Sequence, residues 1–411
     1  MALLFCIGAL NYGDRTAISS VFPLLRSEFG ATDKQLGAIG TAFLWAYALA
    51  SPLAGSFADR FSRSRIIAFS LATWSIVTLA TAFTGGISQI LISRVILGFA
   101  EAAYLPAAIA LIADYHGSES RATAIALHTA GLSFGLVAGG AGAGYLAEHY
   151  GWRASFVILG IAGLALAAFA LSYLRDGRPI AAEPQAAEDK PPLWSSVAAV
   201  IAVPSCLVIF GEAMLVAVGT WIFLNWLPLF FKETYDLSLA AAGFAGTFML
   251  QGASMIGLLF GGWFSDRVAG TQVRRRMLIL SVCYAISAPF LLAFLFKPPV
   301  MMLNLCIFLF SFFAKLGSNN ETPLLCDLLA PQYRSTAIGL MNAGNCLAGG
   351  IGIMVASFLK STQGLAGIFG GLSVIMVIGS AITAFGYIVF LRRDLVERKT
   401  WTPASSAAAG D

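Results

Sequence analysis

Charged side chains interrupt three of the most apolar stretches of this sequence. Asp14 and Arg15 are adjacent, Arg94 and Glu101 are seven residues apart, and Lys315 lies in a third stretch. Charges in a membrane interior are costly and usually mark a pathway. Burial favours the protonated form of a carboxyl group, whereas a nearby arginine favours the charged form. This competition suits a group that takes up and releases a proton, so we predict that Asp14, Glu101 and Arg94 form a proton-coupling set.

The spacing of Arg94 and Glu101 places both on one helical face, two turns apart. They are then separated by about 10 Å along the axis, too far for a direct bond. Asp14, midway along its own stretch, can meet either of them. A static buried ion pair between Asp14 and Arg94 is the alternative interpretation.

Polar residues near Lys315 form the run SNNET at 318–322. A buried lysine without a partner is costly, and either a substrate carboxylate or Glu321 could supply the partner. Asn319 adds donors and acceptors for hydroxyl groups. A structural pair between Lys315 and Glu321 is the alternative.

Other polar residues in apolar stretches carry weaker signals. Trp221, Asn225 and Gln251 are candidates to line a cavity in the second half of the chain, although lone polar residues often only join helices. The sequence leaves open whether Glu212 lies at membrane depth.

The composition requires lipid as the solvent. Of the 411 residues, 58% are hydrophobic and 11% are charged, whereas a soluble protein carries roughly a quarter charged residues. Twelve stretches are long enough to span a bilayer, and the first one, which lacks a basic leader, is interpreted as a retained helix. These stretches lie at about 2–26, 36–58, 66–85, 88–113, 122–146, 153–174, 196–231, 240–265, 277–296, 299–329, 335–360 and 366–391. The fold class is therefore an all-α membrane protein.

The basic residues between these stretches predict their orientation. With Met1 inside, sixteen loop and tail lysines and arginines lie on the inner side and six on the other. Cytoplasmic loops carry such an excess, so both termini are predicted to be cytoplasmic.

The two halves of the chain are related in sequence. Residues 121–131 (RATAIALHTAG) and 334–344 (RSTAIGLMNAG) share seven of eleven positions at an offset of 213. We predict a six-helix bundle at 1–174, a linker at 175–193, a second bundle at 194–393 and a flexible tail at 394–411. Two such bundles are expected to place a substrate near the midplane between them.

A second repeat combines Gly, Asp-Arg and a basic cluster at a helix end. The copies are GSFADRFSRSR at 55–65 and GGWFSDRVAGTQVRRR at 261–276. We predict a gating latch between the halves at this motif; an excess of positive charge alone is the alternative. Its residues are Gly55, Asp59, Arg60, Asp266 and Arg267.

Several classes of function are disfavoured. The six cysteines lie in apolar spans without metal-ligand spacing, and the sequence shows no catalytic triad, no HExxH and no phosphate loop. We expect a monomer that is not an enzyme, needs no cofactor and no metal, and binds no nucleic acid.

Five segments resemble the anion:cation symporters of the major facilitator superfamily. They are NYGDR (11–15), FLWAYAL (43–49), RVILGFAEAAYLPAA (94–108), TWIFLNWLPLFF (220–231) and YRSTAIGLMNAGNCLAG (333–349). The resemblance implies a multi-pass carrier in a bacterial inner membrane that moves a small organic anion, such as a sugar acid, together with protons.

The resemblance also implies roles for individual residues. Asp14 and Glu101 match the proton-titrating pair and Arg94 the arginine coupled to it. Arg15 and Tyr47 match substrate contacts. Asn342 or Asn345 matches a polar ligand, although NAGNC at 342–346 departs from the usual N-x-x-G-N and leaves open which asparagine faces substrate.

Two other transport functions remain as alternatives. The segments at 11–15 and 94–104 also fit Spinster-like lysolipid carriers, although the polar residues near Asn319 and Asn342 argue against a pocket for an apolar tail. A proton-driven exporter of a hydrophobic compound is disfavoured by Arg15, Arg94 and Lys315, which make the expected cavity cationic.

Overall fold

The computed structural model describes residues 1–176, 192–270 and 272–399. Side chains at 53–60, 118, 119, 122, 193 and 397–399 lie outside that description. The predicted linker at 175–193 and tail at 394–411 therefore fall largely outside the described residues.

The described residues form sixteen α-helices in two groups. The first group comprises α1 (Ala2–Ser20), α2 (Phe22–Phe29), α3 (Asp33–Arg60), α4 (Arg63–Thr81), α5 (Ile87–Glu101), α6 (Tyr104–Tyr115), α7 (Ser118–Tyr150) and α8 (Trp152–Tyr173). The second comprises α9 (Leu193–Ile201), α10 (Pro204–Tyr235), α11 (Leu239–Ala269), α12 (Val273–Leu291), α13 (Val300–Ser318), α14 (Glu321–Leu328), α15 (Pro331–Val389) and α16 (Leu391–Lys399).

Several predicted stretches are divided, which corrects their predicted continuity. The stretch 2–26 breaks at Val21, and Pro23 in the first turn of α2 has no amide hydrogen to continue the preceding helix. The stretch 88–113 breaks after Glu101, and 299–329 breaks at Asn319 and Asn320. The stretch 196–231 is also two helices, because α10 begins only at Pro204, a residue that favours a first turn.

Nine helical stretches among the described residues are long and apolar enough to cross a membrane. The longest, α15, has 59 residues, a length of about 90 Å at the α-helical rise, far more than one bilayer needs. Gly364 interrupts it with φ 64° and ψ 170°. Since that conformation suits glycine and is not helical, α15 consists of two helices, as the stretches 335–360 and 366–391 predict.

The helices of each half pack mainly on one another. In the first half α1 packs on α7 and α4 on α8; in the second half α10 and α12 pack on α15 and α11 on α13. The two halves meet through α7 against α11 and α3 against α15.

Polar contacts between the halves concentrate at one end of the bundle, which we call the closed end. Arg26 bonds Glu233 at 2.8 Å and Lys360 bonds Asp33 at 3.0 Å, each across the halves. Deeper toward the middle, the Thr41 hydroxyl donates to the carbonyl oxygen of Gly350 at 2.9 Å. At the described residues, every hydrogen bond and ion pair joining the halves lies between this end and the level of Trp45, whose indole donates to the Leu347 carbonyl at 3.3 Å.

Candidate functional site

An ion pair between α1 and α5 lies in the interior of the first half. Arg15 Nε donates to Glu101 Oε2 at 2.9 Å, and the two side chains are only 6% and 0% exposed. A second donor of Arg15 reaches Asn11 Oδ1, one turn earlier on α1, at 3.2 Å. The helix break directly after Glu101 therefore follows a residue that is fixed to α1.

Three aromatic rings surround the same guanidinium group. Arg15 Cζ lies 4.3 Å from the ring centre of Tyr12, 5.0 Å from that of Phe43 and 4.9 Å from that of Tyr47. These distances are within the range of cation–π attraction. Arg15 and Tyr47 were both predicted to contact substrate. In this conformation Arg15 is instead bonded to Glu101, and the ring of Tyr47 lies against the guanidinium group of Arg15.

Asp14 is buried beside this pair but has different partners. Its Oδ2 accepts a hydrogen bond from the Thr78 hydroxyl of α4 at 3.2 Å, whereas its Oδ1 has no hydrogen-bond partner. Charged Arg94 and Glu101 both act on it electrostatically. A buried carboxylate with an unsatisfied oxygen is costly, so this position favours a group that can be neutralised by a proton.

Arg94 is a buried cation without a bonded carboxylate. The residue is 4% exposed, and its Cζ lies 4.8 Å from the ring centre of Phe43. Its Nε has no hydrogen-bond partner, and no carboxylate among the described residues lies within ion-pair distance of it. The static Asp14–Arg94 ion pair is therefore not formed; Glu101 is bonded to Arg15 instead.

A small cavity lies next to Arg94, between the halves. Its volume is about 20 Å³, room for about one water molecule. The first half lines it with Arg15, Arg94 and Phe43, and the second half with Trp221 and Asn225. Arginine and amide groups thus face one another across the boundary between the halves.

The second half contributes an orphaned amide to this cavity. Asn225 is buried, and its Nδ2 has no hydrogen-bond partner. Trp221 lies one helical turn earlier on α10 and also lines the cavity. Trp221 and Asn225 both line this cavity, whereas Gln251, a half-buried residue of α11, does not.

The remaining predicted substrate ligands lie apart from this cavity. Lys315 and Asn319 are half-buried on α13 and at its end, and Asn342 is exposed on α15. Asn345 is half-buried, with an Oδ1 that lacks a hydrogen-bond partner. The structure thus brings Trp221 and Asn225 to Arg15 and Arg94 but does not bring Lys315, Asn319, Asn342 or Asn345 to the same cavity.

A second polar cluster lies inside the second half. The Tyr284 hydroxyl of α12 donates to Glu321 Oε1 at 2.9 Å. Glu212 of α10 is fully buried and interacts electrostatically with Glu321. Tyr284 was not predicted to belong to a site, although a tyrosine in an apolar stretch signals that its hydroxyl needs a partner.

The predicted latch residues make no described contact across the halves. Gly55, Asp59 and Arg60 end α3, and their side chains lie outside the described part of the chain. In the second copy Asp266 bonds Arg276 at 2.7 Å, and Arg267 lies 6.0 Å from the ring of Trp263. Both of these contacts stay within the second half.

The charges that do join the halves at the closed end were not predicted. They are Arg26, Asp33, Glu233 and Lys360. In the sequence they stand at or just beyond the ends of the apolar stretches, where charged residues are common, so nothing distinguishes them from ordinary loop charges. Their pairing depends on how the two halves meet.

The described residues contain no group of three or more His, Cys, Asp and Glu side chains that could hold a metal ion. All six cysteines are free thiols.

Comparison with known proteins gives relatives along the whole chain. The sequence model of the Major Facilitator Superfamily matches residues 4–352 and again 213–408. A D-galactonate transporter of Escherichia coli O6:H1 is 25% identical, covering 95% of this chain and 94% of its own. An MFS-type efflux pump of Mycolicibacterium smegmatis is 24% identical, with coverages of 97% and 94%.

The fold also matches a solved structure. A bacterial homologue of the human lysosomal transporter Spinster, in an inward-facing and occupied conformation, superposes with a TM-score of 0.78 at 21% identity, covering 98% of both chains. The predicted resemblance to symporters of organic anions, with Spinster-like features, is confirmed. The chain belongs to the Major Facilitator Superfamily and is a transporter rather than an enzyme.

Proposed function

We propose that this protein is a proton-coupled symporter that carries a small organic anion, such as a sugar acid or another carboxylate, across a bacterial inner membrane. In this proposal it works as a monomer with twelve spans and cytoplasmic termini. Two bundles, 1–174 and 194–393, rock about the cavity at their boundary and expose it to each side in turn.

The observation that carries this proposal is the state of Arg94. It is a buried guanidinium group that borders the cavity between the halves and has no carboxylate bonded to it. An arginine fork matches the geometry of a carboxylate, with which it forms paired, charge-assisted hydrogen bonds. A substrate carboxylate would supply the anionic partner that the protein itself does not provide.

In this conformation the cavity holds about one water molecule, so a sugar acid would bind there only where the halves part, and the opposite wall then suits the remainder of such a molecule. Asn225 has an unused amide donor, and Trp221 offers an aromatic face. Amide groups bind hydroxyl groups, and a ring packs against the C–H face of a polyol chain. The name of the D-galactonate transporter among the relatives supports the same class of substrate.

Proton coupling is assigned to Asp14 and Glu101. Both are buried beside Arg15 and Arg94, and each keeps one carboxylate oxygen without a hydrogen-bond partner. An arriving anion at Arg94 would weaken the hold of that arginine on the nearby carboxylates and so favour their protonation. Substrate and proton would thus bind together.

The closed end is assigned to the outer side of the membrane. Sixteen basic loop and tail residues lie on the side of the membrane away from the closed end. Cytoplasmic loops hold such an excess, so that side is the inner one. In the described conformation the transporter is then closed toward the outside, and substrate would leave this conformation toward the cytoplasm.

The test is uptake of a panel of labelled organic anions, D-galactonate first, by the purified protein in liposomes. Uptake is measured with and without an inward proton gradient, and for Asp14→Asn and Glu101→Gln. We expect one acid to accumulate with the gradient, and both variants to lose accumulation while they retain exchange of labelled for unlabelled substrate. Accumulation that does not respond to the gradient would overturn the proton coupling.

An exporter is the second candidate, because one relative bears the name of an efflux pump. The same vesicles, loaded with a lipophilic cation or with lysolipid, separate the two functions. Proton-dependent movement of either compound, without uptake of any anion, would replace the anion assignment.

A further inference from the structure

Two carboxyl groups meet inside the second half, away from the cavity at Arg94. Glu212 projects from α10 and Glu321 is the first residue of α14. The Tyr284 hydroxyl of α12 donates to Glu321 Oε1 at 2.9 Å. The charge of Glu321 acts on Glu212, and the Tyr284 hydroxyl lies beside both glutamates. Three helices of one bundle thus converge on this pair.

Glu212 has an unusual environment for a carboxyl group. It is 0% exposed, and neither of its two oxygen atoms has a hydrogen-bond partner. Tyr284 has one hydroxyl hydrogen, and Glu321 already accepts it. An isolated buried carboxylate costs far more than a neutral carboxylic acid. A proton on Glu212 removes that cost.

The neighbouring charges do not provide an alternative. Lys315 of α13 acts electrostatically on Glu321 without an ion-pair contact between them in the described structure. Asp394 of α16 lies at the start of α10, away from Glu212, and accepts a hydrogen bond there from the backbone N–H of Ser205 at 2.8 Å. The helices α11 and α15 also pack on α10, but none of their described charged side chains acts electrostatically on Glu212. One nearby lysine can balance one ionised carboxylate, not two.

The position of Glu321 connects this pair to a break in the fold. Glu321 follows directly after Asn319 and Asn320, where α13 ends and α14 begins. In the first half, Glu101 likewise stands at a break, as the last residue of α5. Each half therefore places one hydrogen-bonded carboxyl group where a membrane helix is interrupted. Such breaks are the points at which transporter helices bend.

We propose that Glu212 and Glu321 form a second proton-binding site, which shares one exchangeable proton between two carboxyl groups, with Tyr284 as the residue that orients Glu321. The inference rests on the proposed symport for its purpose, since the site would bring a second proton into the cycle. The binding itself needs no substrate. It predicts a proton that belongs to the pair rather than to either glutamate alone.

The test is infrared difference spectroscopy of the purified protein in lipid without substrate, titrated between about pH 5 and pH 9. Protonated and ionised carboxyl groups absorb at different frequencies. We expect a band of a protonated carboxyl group that titrates in the wild type and is lost in Glu212→Gln and in Glu321→Gln alike. Tyr284→Phe should shift the band rather than remove it. Asp236→Asn, which changes an exposed loop carboxylate, should leave it unchanged.

The outcomes separate this site from the proposed function. Carboxyl bands that titrate identically in the wild type and in both glutamine variants would overturn the second site, even if Asp14→Asn still abolishes proton-driven uptake. A titrating band that both variants lose would support the site even in a protein whose transport ignores the proton gradient. If one variant fails to fold, the other and Tyr284→Phe still decide the question.

Discussion

Arg26 and Glu233, which lie on opposite halves of the transporter, are joined at 2.8 Å. Lys360 bonds the same glutamate oxygen at 2.8 Å and reaches Asp33 at 3.0 Å, and Arg26 also pairs with Asp33. Two cations and two anions thus form a closed ring at the closed end, with one of each sign from each half. These contacts must separate whenever the halves part at this end.

Removal of one anion from the ring is expected to favour opening of the closed end. In Glu233→Gln both Arg26 and Lys360 lose a charged partner. Each partly exposed pair contributes about 0.2–1 kcal/mol, so the loss of both pairs should raise the population open at this end about two- to thirty-fold. The measurement is the labelling rate of a cysteine introduced in place of Phe22, which packs on Trp226 across the halves, by a membrane-impermeant thiol reagent.

Glu28→Gln is the matched control for this experiment. Glu28 bonds Trp152 and Arg153, both in its own half, so its loss should leave the labelling rate as it was. Equal labelling rates in Glu233→Gln and in the parent protein would show that the ring does not hold the halves together.

Substitution of Arg94 is expected to weaken anion binding while the fold persists. No described carboxylate is bonded to Arg94, so Arg94→Gln breaks no ion pair. A lost charged hydrogen bond costs about 1.5–3 kcal/mol, so the affinity for the transported acid should fall at least about ten-fold. Equilibrium binding of the acid identified in the uptake panel checks this, with thermal unfolding as the measure of folding.

Arg94→Lys distinguishes charge from geometry at the same position. Lysine keeps the charge but cannot present a planar fork, so we expect an affinity between those of the parent and of Arg94→Gln. Parental affinity in Arg94→Gln would remove Arg94 from the substrate site.

The sequence predicted the membrane fold and the buried charges of the first half, but not their pairing. Asp14, Arg15, Arg94 and Glu101 stand out because charges in apolar runs are rare. Which arginine takes Glu101 depends on the rotation of α1 against α5, and no spacing within either helix specifies it. The ring at the closed end was missed for a related reason, since Arg26 and Glu233 are 207 positions apart and lie among ordinary loop charges.

Glu28 is expected to make the stability of the first half depend on acidity. The Trp152 indole donates to it at 2.6 Å, and together with Arg153 holds the pKa of Glu28 below its ordinary value. With a lowered pKa in the folded state, this stabilisation is complete above the ordinary glutamate pKa of about 4.3. It is lost as the pH falls through the lowered pKa.

Thermal unfolding of Glu28→Gln against the parent protein measures this effect. Because the site is partly exposed, we expect a fall of roughly 1–2 °C at neutral pH. The difference should shrink as the solution becomes acidic. A difference that grows in acid would contradict the lowered pKa.

The close approach of Gly140 and Gly243 is expected to be needed for closure of the same end. A methyl group added at Gly243 would lie 2.7 Å from the carbonyl carbon of Gly140, on the facing helix of the other half. Backbone cannot yield to such a contact as a flexible side chain can, so Gly243→Ala should push α7 and α11 apart.

Gly252→Ala is the control on the same helix, because an added methyl group there meets nothing within 4 Å. We expect faster labelling of the cysteine at position 22 and slower gradient-driven uptake in Gly243→Ala alone, since a transporter that cannot close one end cannot complete its cycle. Equal uptake and labelling in the two alanine variants would mean that the halves meet differently at this end during transport.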